Sequence, residues 1–599
     1  MIKNKQLLLL LLWMTIALIL RFANLNSKPL WTDEFSTLVF SLGNSFQGVP
    51  IDRAIDLSTL LEPLQFRPSA STADVLRNLL LESNHPPVYF LLAHWWMQLF
   101  GPSGDNLVWI GRSLPALLGV ISVPAIYGLG RFAFNSPLVG QCAAAMMAVS
   151  PYGIYLAQEA RHYTLGILLV IVSLLCLTLA VKKLQQSAPI PIGAMMLWII
   201  VNCLGMASHY FFTITLLAEA MVLIYLLWRQ YSNSKNPILT QIFLRLLAVA
   251  IGTLAGGLVW LPVFLLNKYG SELTNWIVSS DRSWLDWISP IFQALAGWIT
   301  VISLLPVESP NLAVVIASVI TMTIFFIWAI PIMLIALKNS LNTPNTRLGT
   351  VVFGGFVLAS IILFFSFTYI LGIDLTRGAR YNFVYFPGAI LLLGAILAVI
   401  FNTPIIKSRW FNLPAVEIAG KKAVAIILVM GFVSGVTVTS NLGYRKYYKP
   451  DLLVPIVRQV SKVPVLIATT QKTHVEIGEL MGIGSEWKKN PPQGGKKNPL
   501  PPSRGEEEPP STPPLGGRRK QEEVKFSDSP LFLLANHQRE TPEIAAGTLE
   551  KALDRLQRPL DLWLVNFRAP VNLETQKCQA GSRNLPSVDG YEYQVYHCS

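Results

Sequence analysis

The sequence predicts an all-α polytopic membrane protein with a small C-terminal α/β domain outside the membrane. Of its 599 residues, 52% are hydrophobic and only 14% are charged, whereas a soluble domain carries about 25% charged residues. Apolar stretches long enough to cross a bilayer as a helix recur from the N-terminus to about residue 440. Beyond that point the composition becomes polar, and short strand-like runs replace the apolar stretches.

The apolar stretches predict about eleven spans, the first of them a retained helix with a cytoplasmic N-terminus. No small-residue cleavage site follows it, as a signal peptide would require. The loops that this arrangement places inside are basic, in agreement with the positive-inside rule. The spans lie at about 6–23, 107–130, 137–155, 162–181, 190–208, 210–228, 242–266, 311–337, 349–372, 383–401 and 423–440.

Two more apolar segments are predicted not to cross, because one extra crossing would move the later basic loops outside. Residues 86–100 are short and aromatic, and we expect them to lie along the outer surface. Residues 284–306 are predicted to be interfacial or to form a shallow hairpin. The long loops, beginning with 24–106, then face outward, which predicts a working surface on the outer side, in a bacterial plasma membrane.

The domain boundary is predicted at 440/441, with residues 441–599 forming the outer α/β domain. Within it, residues 485–527 are rich in Pro, Gly and charge, and they cannot bury a core, so we expect disorder there. Cys578 and Cys598 can form a disulfide if this domain lies in an oxidising compartment. The net charge of +13 comes from scattered Lys and Arg rather than one basic face, which argues against nucleic-acid binding.

Two adjacent carboxylates stand near the start of the first outer loop. Asp33 and Glu34 follow Trp31 about ten residues after the first span ends. On its own, the pair fits a solvated loop with an interfacial aromatic residue as well as it fits catalysis. The same loop ends at His85, directly before two prolines that can begin a helix. Neither feature is diagnostic alone.

Ionisable residues also stand at the outer junction of two later spans. The segment SPYGIYLAQEARHYTL holds Glu159, Arg161 and Tyr163. Charged groups at membrane depth are costly and are usually paired or functional. The sequence leaves two interpretations open, a Glu159–Arg161 salt bridge or a substrate-binding role for these residues.

Positive charge appears again before a late span, on the side where the positive-inside rule disfavours it. In DLTRGARYNFVYFP, Arg377 and Arg380 are three residues apart, followed by Tyr381. A helical turn could direct both guanidinium groups at one phosphate. An anionic lipid headgroup would explain cations at this position.

These segments together resemble the GT-C superfamily of integral-membrane glycosyltransferases, in particular the protein O-mannosyltransferase and aminoarabinose transferase group. The resemblance covers about residues 1–440 and leaves the C-terminal domain unexplained. The matching residues are Trp31-x-Asp33-Glu34, His85-Pro86-Pro87-x-Tyr89, Ser150 through Gln158-Glu159-Ala160-Arg161-His162-Tyr163, and Arg380-Tyr381.

The resemblance implies sugar transfer from a polyprenyl-phosphate-linked donor at the outer face, with inversion at the anomeric carbon. Asp33 matches the family's catalytic acidic position and would act as general base, with Glu34 orienting it or contacting the acceptor. Arg380 would stabilise the leaving phosphate with help from Arg377 or Arg161. The remaining site residues would orient substrate: His85, Glu159, Tyr163 and Tyr381.

Several properties stay open at this stage. The acceptor is a lipid, a glycan or a protein, and the run Phe35-Ser36-Thr37 departs from the eukaryotic mannosyltransferase pattern. Some superfamily members use a divalent metal, but without a clear third ligand we expect no cofactor. A transporter or lipid flippase is the alternative function, although internal repeats and broken helices of the transporter kind are not evident in the sequence.

Overall fold

The computed structural model describes residues 2–104, 106–231, 237–266, 273–278, 284–408, 416–489, 529–537, 542–581 and 585–599. The chain forms two compact units. One comprises Met1–Ser45 and Leu64–Lys446, and the other comprises Phe46–Pro63 and Tyr447–Ser599. Of the segment predicted to be disordered, residues 485–489 finish a helix, and residues 490–527 lie outside the described residues.

The first unit is helical. Its 3₁₀ turns lie at Asn275–Ile277, Leu375–Arg377 and Ala379–Val384. Strand β2 (Ile405–Ser408) pairs antiparallel with strand β3 (Val416–Ala419). Its helices are α1 (Ile2–Phe22), α2 (Thr32–Ser41), α4 (Thr72–Glu82), α5 (Val88–Phe100), α6 (Leu107–Phe134), α7 (Pro137–Val149), α8 (Pro151–Ala157), α9 (Tyr163–Gln185), α10 (Ile192–Met206), α11 (Phe212–Tyr231), α12 (Pro237–Leu258), α13 (Leu261–Leu266), α14 (Trp284–Ile302), α15 (Leu312–Asn342), α16 (Pro344–Tyr369), α17 (Phe386–Asn402) and α18 (Gly420–Thr439).

The helix pattern confirms an all-α polytopic membrane fold. Among the described residues, nine helices are long and apolar enough to cross a membrane, and three shorter helices, α7, α10 and α17, are also apolar. Eight of the nine long helices and the three shorter ones coincide with the eleven predicted spans. The remaining long helix is α14, in the segment that the sequence predicted not to cross.

Helix α14 has the length and composition of a span, yet its contacts place both of its ends at one end of the helix bundle. Near its start, Trp287 stacks on Tyr369, the last residue of α16, with ring centroids 5.6 Å apart. Near its end, the carbonyl of Val301 accepts a hydrogen bond of 2.7 Å from Ser150, which follows α7. Both partners lie at the bundle end that holds the candidate site. The segment is therefore one helix lying across that end, not a hairpin.

Helix α5, in the other segment predicted not to cross, has 13 residues and packs beside α2 and α6. It ends at Gly101, whose φ of +53° is the left-handed conformation that a glycine adopts without strain. His94 of α5 contacts the carbonyl of Ser41 at 2.8 Å, and Trp96 donates to the hydroxyl of Ser113 in α6 at 3.0 Å. These contacts hold α2, the helix that carries the acidic pair, against α5 and α6.

The second unit is the predicted small α/β domain, built on a six-stranded sheet with the order β1-β5-β4-β6-β8-β7. Strands β5, β4 and β6 are parallel, and the outer strands are antiparallel to their neighbours. The strands are β1 (Ala54–Ile55), β4 (Val465–Gln471), β5 (Leu531–Asn536), β6 (Leu560–Val565), β7 (Cys578–Ala580) and β8 (Tyr593–Cys598), and the helices are α3 (Leu57–Leu60), α19 (Pro450–Val460), α20 (His474–Lys489) and α21 (Pro542–Leu553).

The unit boundaries differ from the predicted division at 440/441. The second unit begins at Tyr447, and it also includes Phe46–Pro63 from the first loop. That loop segment supplies β1, in which Ala54 pairs with Leu533 of β5. A two-residue strand carries too little hydrophobic periodicity to be recognised in a sequence, which is why the prediction kept the whole loop with the membrane helices.

A disulfide joins Cys578 of β7 to Cys598 of β8, which face each other directly across the two strands. We expect the double substitution Cys578→Ser and Cys598→Ser to lower the free energy of unfolding of the second unit by about 3 kcal/mol, since the bond closes a loop of 20 residues. Hydrogen exchange of β7 and β8 in the full-length protein measures the effect. Unchanged protection of both strands in the double variant would contradict this expectation.

Candidate active site

The acidic pair lies in the first turn of α2, which begins at Thr32. Carboxylates are stabilised there by the unpaired backbone N–H groups and the dipole of a helix N-terminus. Consecutive residues on a helix point about 100° apart. Asp33 and Glu34 therefore face different surroundings, and the structure gives them different partners.

Glu34 is buried, and both of its carboxylate oxygens are engaged. Arg112 donates through Nε to Oε1 at 2.8 Å and through Nη2 to Oε2 at 2.7 Å, and the backbone N–H of Ala160 donates to Oε1 at 2.8 Å. Burial alone would raise the pKa of Glu34, but the Arg112 guanidinium outweighs it and holds the pKa below its ordinary value. This arrangement supports a positioning role for Glu34 rather than contact with an acceptor.

Arg112 also binds the backbone of the loop between α1 and α2. Its guanidinium donates to the backbone carbonyls of Leu25 at 2.8 Å, Lys28 at 3.0 Å and Pro29 at 3.3 Å. The Glu34–Arg112 pair thus fixes both the loop after α1 and the start of α2. Sequence reasoning missed Arg112, because it lies inside an apolar span with no flanking motif.

Asp33 is 28% exposed and lies between two guanidinium groups from distant parts of the chain. Its Oδ2 is 3.5 Å from Nη2 of Arg161 and 3.7 Å from Nη2 of Arg380. Both distances exceed those of ordinary hydrogen bonds. The carboxylate is thus oriented by charge while keeping an accessible edge. The structure brings Asp33, Arg161 and Arg380 together, as the sequence predicted.

Arg161 connects Asp33 to His85. Its Nη1 donates to the carbonyl of Asp33 and to the hydroxyl of Thr37, each at 2.9 Å, and its Nη2 lies 2.9 Å from Nε2 of His85. Because a guanidinium only donates, Nε2 of His85 accepts. Nδ1 of His85 lies 3.0 Å from the hydroxyl of Ser83. His85 is therefore a neutral residue that helps to orient Arg161.

Arg380 lies among aromatic rings, whereas Arg377 has other partners. The Arg380 guanidinium is 5.0 Å from the ring centroid of Trp31, 5.1 Å from that of Trp276 and 5.2 Å from that of Tyr381. Arg377 contacts the carboxylate of Asp374 at 3.3 Å and the carbonyl of Trp276 at 2.7 Å. These contacts support Arg380 as the cation of the site and Arg377 as a residue that shapes the loop.

Glu159 pairs with a lysine that sequence reasoning missed. Lys446 forms an ion pair with Oε1 of Glu159, donates to the hydroxyl of Tyr155 at 3.1 Å and lies 4.0 Å from the ring centroid of Trp31. Burial raises the pKa of Glu159 despite the Lys446 ammonium. The sequence left a Glu159–Arg161 salt bridge open. In the structure, Glu159 pairs with Lys446 and Arg161 pairs with Asp33. Lys446 follows the last span on the predicted outer side, so the argument that singled out Arg380 could have found it.

The two tyrosines predicted at the site, Tyr163 and Tyr381, lie beside its arginines. The Tyr163 ring lies 5.9 Å from the Arg161 guanidinium and 4.6 Å from the ring of His162. The Tyr381 ring packs edge-on against Phe211, with centroids 4.7 Å apart. Both tyrosines are buried, and their rings pack against the guanidinium groups of Arg161 and Arg380.

The described residues contain no group of three or more His, Cys, Asp or Glu placed to hold a metal ion. The contacts of Asp33 are cationic, which disfavours a divalent ion beside it. We expect excess EDTA to leave the initial rate of the wild-type protein's reaction unchanged. Loss of activity in EDTA with recovery in Mg²⁺ or Mn²⁺ would contradict this expectation.

Comparison with known families adds an independent observation. Residues 84–260 match the family model described as dolichyl-phosphate-mannose-protein mannosyltransferase. Over this segment, the predicted resemblance to the protein O-mannosyltransferase group of GT-C glycosyltransferases is confirmed. The matched segment contains His85, Arg112, Glu159, Arg161 and Tyr163. No curated protein sequence matches the chain.

Solved structures give fold-level similarities. ArnT from Cupriavidus metallidurans aligns with 98% of this chain and 97% of its own, at 10% identity and a TM-score of 0.46 in the apo state. Its complex with undecaprenyl phosphate gives 11% identity and a TM-score of 0.44. The Archaeoglobus fulgidus oligosaccharyltransferase aligns with 80% of this chain at 14% identity and a TM-score of 0.42. The present chain spans 64% of the length of that archaeal enzyme.

Proposed function

We propose that the protein is a membrane glycosyltransferase. It moves a sugar from a polyprenyl-phosphate-linked donor to a hydroxyl of a lipid, glycan or protein acceptor, at the outer face of a bacterial plasma membrane. The observation that supports this most strongly is the accessible Asp33 carboxylate between the guanidinium groups of Arg161 and Arg380. A base beside two cations is the set of groups needed to activate a hydroxyl and to stabilise a leaving phosphate.

The reaction is a single displacement in this proposal. Asp33 takes the proton of the acceptor hydroxyl while the acceptor oxygen bonds to the anomeric carbon. The bond from that carbon to the phosphate oxygen breaks, and the negative charge that develops on the lipid phosphate is stabilised by Arg380. Glu34 is already paired with Arg112, and Glu159 is already paired with Lys446. Asp33 is thus left as the acting carboxylate, which supports inversion rather than a covalent intermediate.

The outer location rests on the distribution of charge along the bundle. The site lies at one end of the helices, where the long loop 24–106 meets the short loop near 373–382. The short loops at the other ends of the same helices carry the lysines and arginines that the positive-inside rule assigns to the cytoplasm. This supports a cytoplasmic N-terminus and an outward-facing site.

Arg380→Ala tests the proposed leaving-group role. With a radiolabelled polyprenyl-phosphate hexose as donor, we expect the initial transfer rate to fall by a factor of about 10² to 10³, because the charge of the leaving phosphate loses its main partner. Arg77→Ala is the matched control, since Arg77 is exposed on α4 and pairs only locally with Asp74. Equal transfer rates for Arg380→Ala and Arg77→Ala would rule out this role.

A further inference from the structure

A second group of polar side chains lies beside the candidate site, and the displacement chemistry does not use it. His162 is 1% exposed, and neither of its ring nitrogens has a hydrogen-bond partner among the described residues. The hydroxyl of Tyr89, a fully buried residue, also lacks a partner in the part of the chain that the structure describes, and the two rings are 6.0 Å apart. The ring of His209 lies 4.6 Å from His162. A polar ligand that binds beside the candidate site would supply the missing partners of these buried atoms.

The group is adjacent to the reacting residues. His162 follows Arg161 in the chain, and its ring lies 5.6 Å from that of His85, which contacts Arg161 directly. A ligand portion that contacts His162 therefore lies next to the Asp33–Arg161 pair. The sugar is the part of a lipid-linked donor that must lie beside the base and the leaving phosphate.

The two unassigned histidines are neutral. Burial lowers the pKa of His162 and of His209 well below the ordinary value, and the nearby Arg161 lowers both further. Nδ1 of His209 accepts from the backbone N–H of Phe211 at 3.0 Å, so its proton is on Nε2. A neutral imidazole presents one donor and one acceptor, the same pair of functions that a hydroxyl group presents.

The surrounding charges select against a cationic sugar. The guanidinium groups of Arg161 and Arg380 lie at the site, while Glu34 and Glu159 are neutralised by Arg112 and Lys446. An ammonium group on the sugar would meet these like charges, and the one accessible carboxylate described at the site, Asp33, already lies between the two guanidinium groups. A metal-binding role for the three histidines is disfavoured, because both ring nitrogens of His85 already have partners.

We propose that His162, with Tyr89 and His209, forms the subsite that binds the hydroxyl groups of the transferred sugar and selects an uncharged hexose over an amino sugar. This inference rests on the proposed function. His162 acts as a specificity residue, because it contacts the sugar without taking part in proton transfer or in charge stabilisation at the phosphate.

Two donors and three variants of the full-length protein test the proposal. With the wild type, we expect kcat/KM for polyprenyl-phosphate mannose or glucose to exceed that for polyprenyl-phosphate aminoarabinose at least about tenfold. We expect His162→Phe, which keeps the ring packing, and Tyr89→Phe, which removes one hydroxyl, each to raise KM for the hexose donor about tenfold. Binding of polyprenyl phosphate without a sugar should stay within about twofold of the wild type.

His162→Gln keeps a donor and an acceptor, so it should recover part of the hexose affinity. If thermal unfolding shows that His162→Phe does not fold, the KM of Tyr89→Phe for the hexose donor is the test. An unchanged KM in both Phe variants, or a preference for the aminoarabinose donor, would overturn the subsite. Failure of the wild type to transfer any sugar would instead count against the proposed function, which keeps the two failures distinguishable.

Discussion

Asp33→Asn is expected to reduce the rate of sugar transfer by a factor of about 10² to 10⁴, the usual contribution of a positioned general base. An amide keeps the shape of the carboxylate, but it cannot take the proton from an acceptor hydroxyl. Because Asp33 is partly exposed and its ion pairs with Arg161 and Arg380 are long, the fold should tolerate the change. Initial rates with a radiolabelled polyprenyl-phosphate hexose measure the effect.

The control for this prediction is Asp554→Asn, which changes an exposed aspartate directly after α21 in the second unit. It should leave transfer unchanged. Thermal unfolding of Asp33→Asn should match that of the wild type, so that lost activity reports on chemistry. A transfer rate for Asp33→Asn within about threefold of the control would refute the assignment of Asp33 as base.

Glu34→Gln is expected to destabilise the membrane unit by about 3 to 5 kcal/mol, since it leaves the guanidinium of Arg112 buried without its counter-charge. The effect should be larger than for most single substitutions because both residues are 1% exposed. The loop from Leu25 to Pro29 depends on the same guanidinium. Thermal unfolding of the purified protein in detergent measures the loss.

A paired substitution separates structure from chemistry at this position. Replacing both partners, as Glu34→Leu with Arg112→Met, removes both buried charges and should recover most of the stability that Glu34→Gln loses. If Glu34→Gln unfolds like the wild type and yet transfers no sugar, then Glu34 acts on the substrate, and its positioning role is wrong.

The membrane helices were predictable because each needs a long apolar stretch, and such stretches are evident without structural knowledge. Composition alone could not decide α14 (Trp284–Ile302). Its length fits a span, and only the contacts of Trp287 and Val301 show that both ends lie at one end of the bundle. The charge pattern of the later loops had pointed to this outcome.

Strand β1, in contrast to the membrane helices, could not be predicted from the sequence. It contains only Ala54 and Ile55, and its partner strand begins at Leu531, so neither local pattern nor proximity in the chain could reveal the pairing.

The disulfide between Cys578 and Cys598 was predictable as a possibility. Its pairing across two adjacent strands needed the structure.

At the site, sequence reasoning found the residues that carry charge where charge is unexpected, namely Asp33, Arg161 and Arg380. It did not find the partners of Glu34 and Glu159, which are Arg112 and Lys446. Arg112 looks like any arginine in an apolar helix, and Lys446 is separated from Glu159 by almost half of the chain. Pair formation depends on how helices pack, which the periodicity of one chain does not determine.

The central claim is that this site transfers a sugar and does not merely bind or move a lipid. The most direct test reconstitutes the wild type and Asp33→Asn in sealed vesicles with a radiolabelled polyprenyl-phosphate hexose and membrane-envelope acceptors. We expect the wild type to move label from the lipid to an acceptor, whereas Asp33→Asn should leave the label on the lipid. Label that stays on the lipid and crosses the bilayer equally with both proteins would contradict this claim and indicate a flippase.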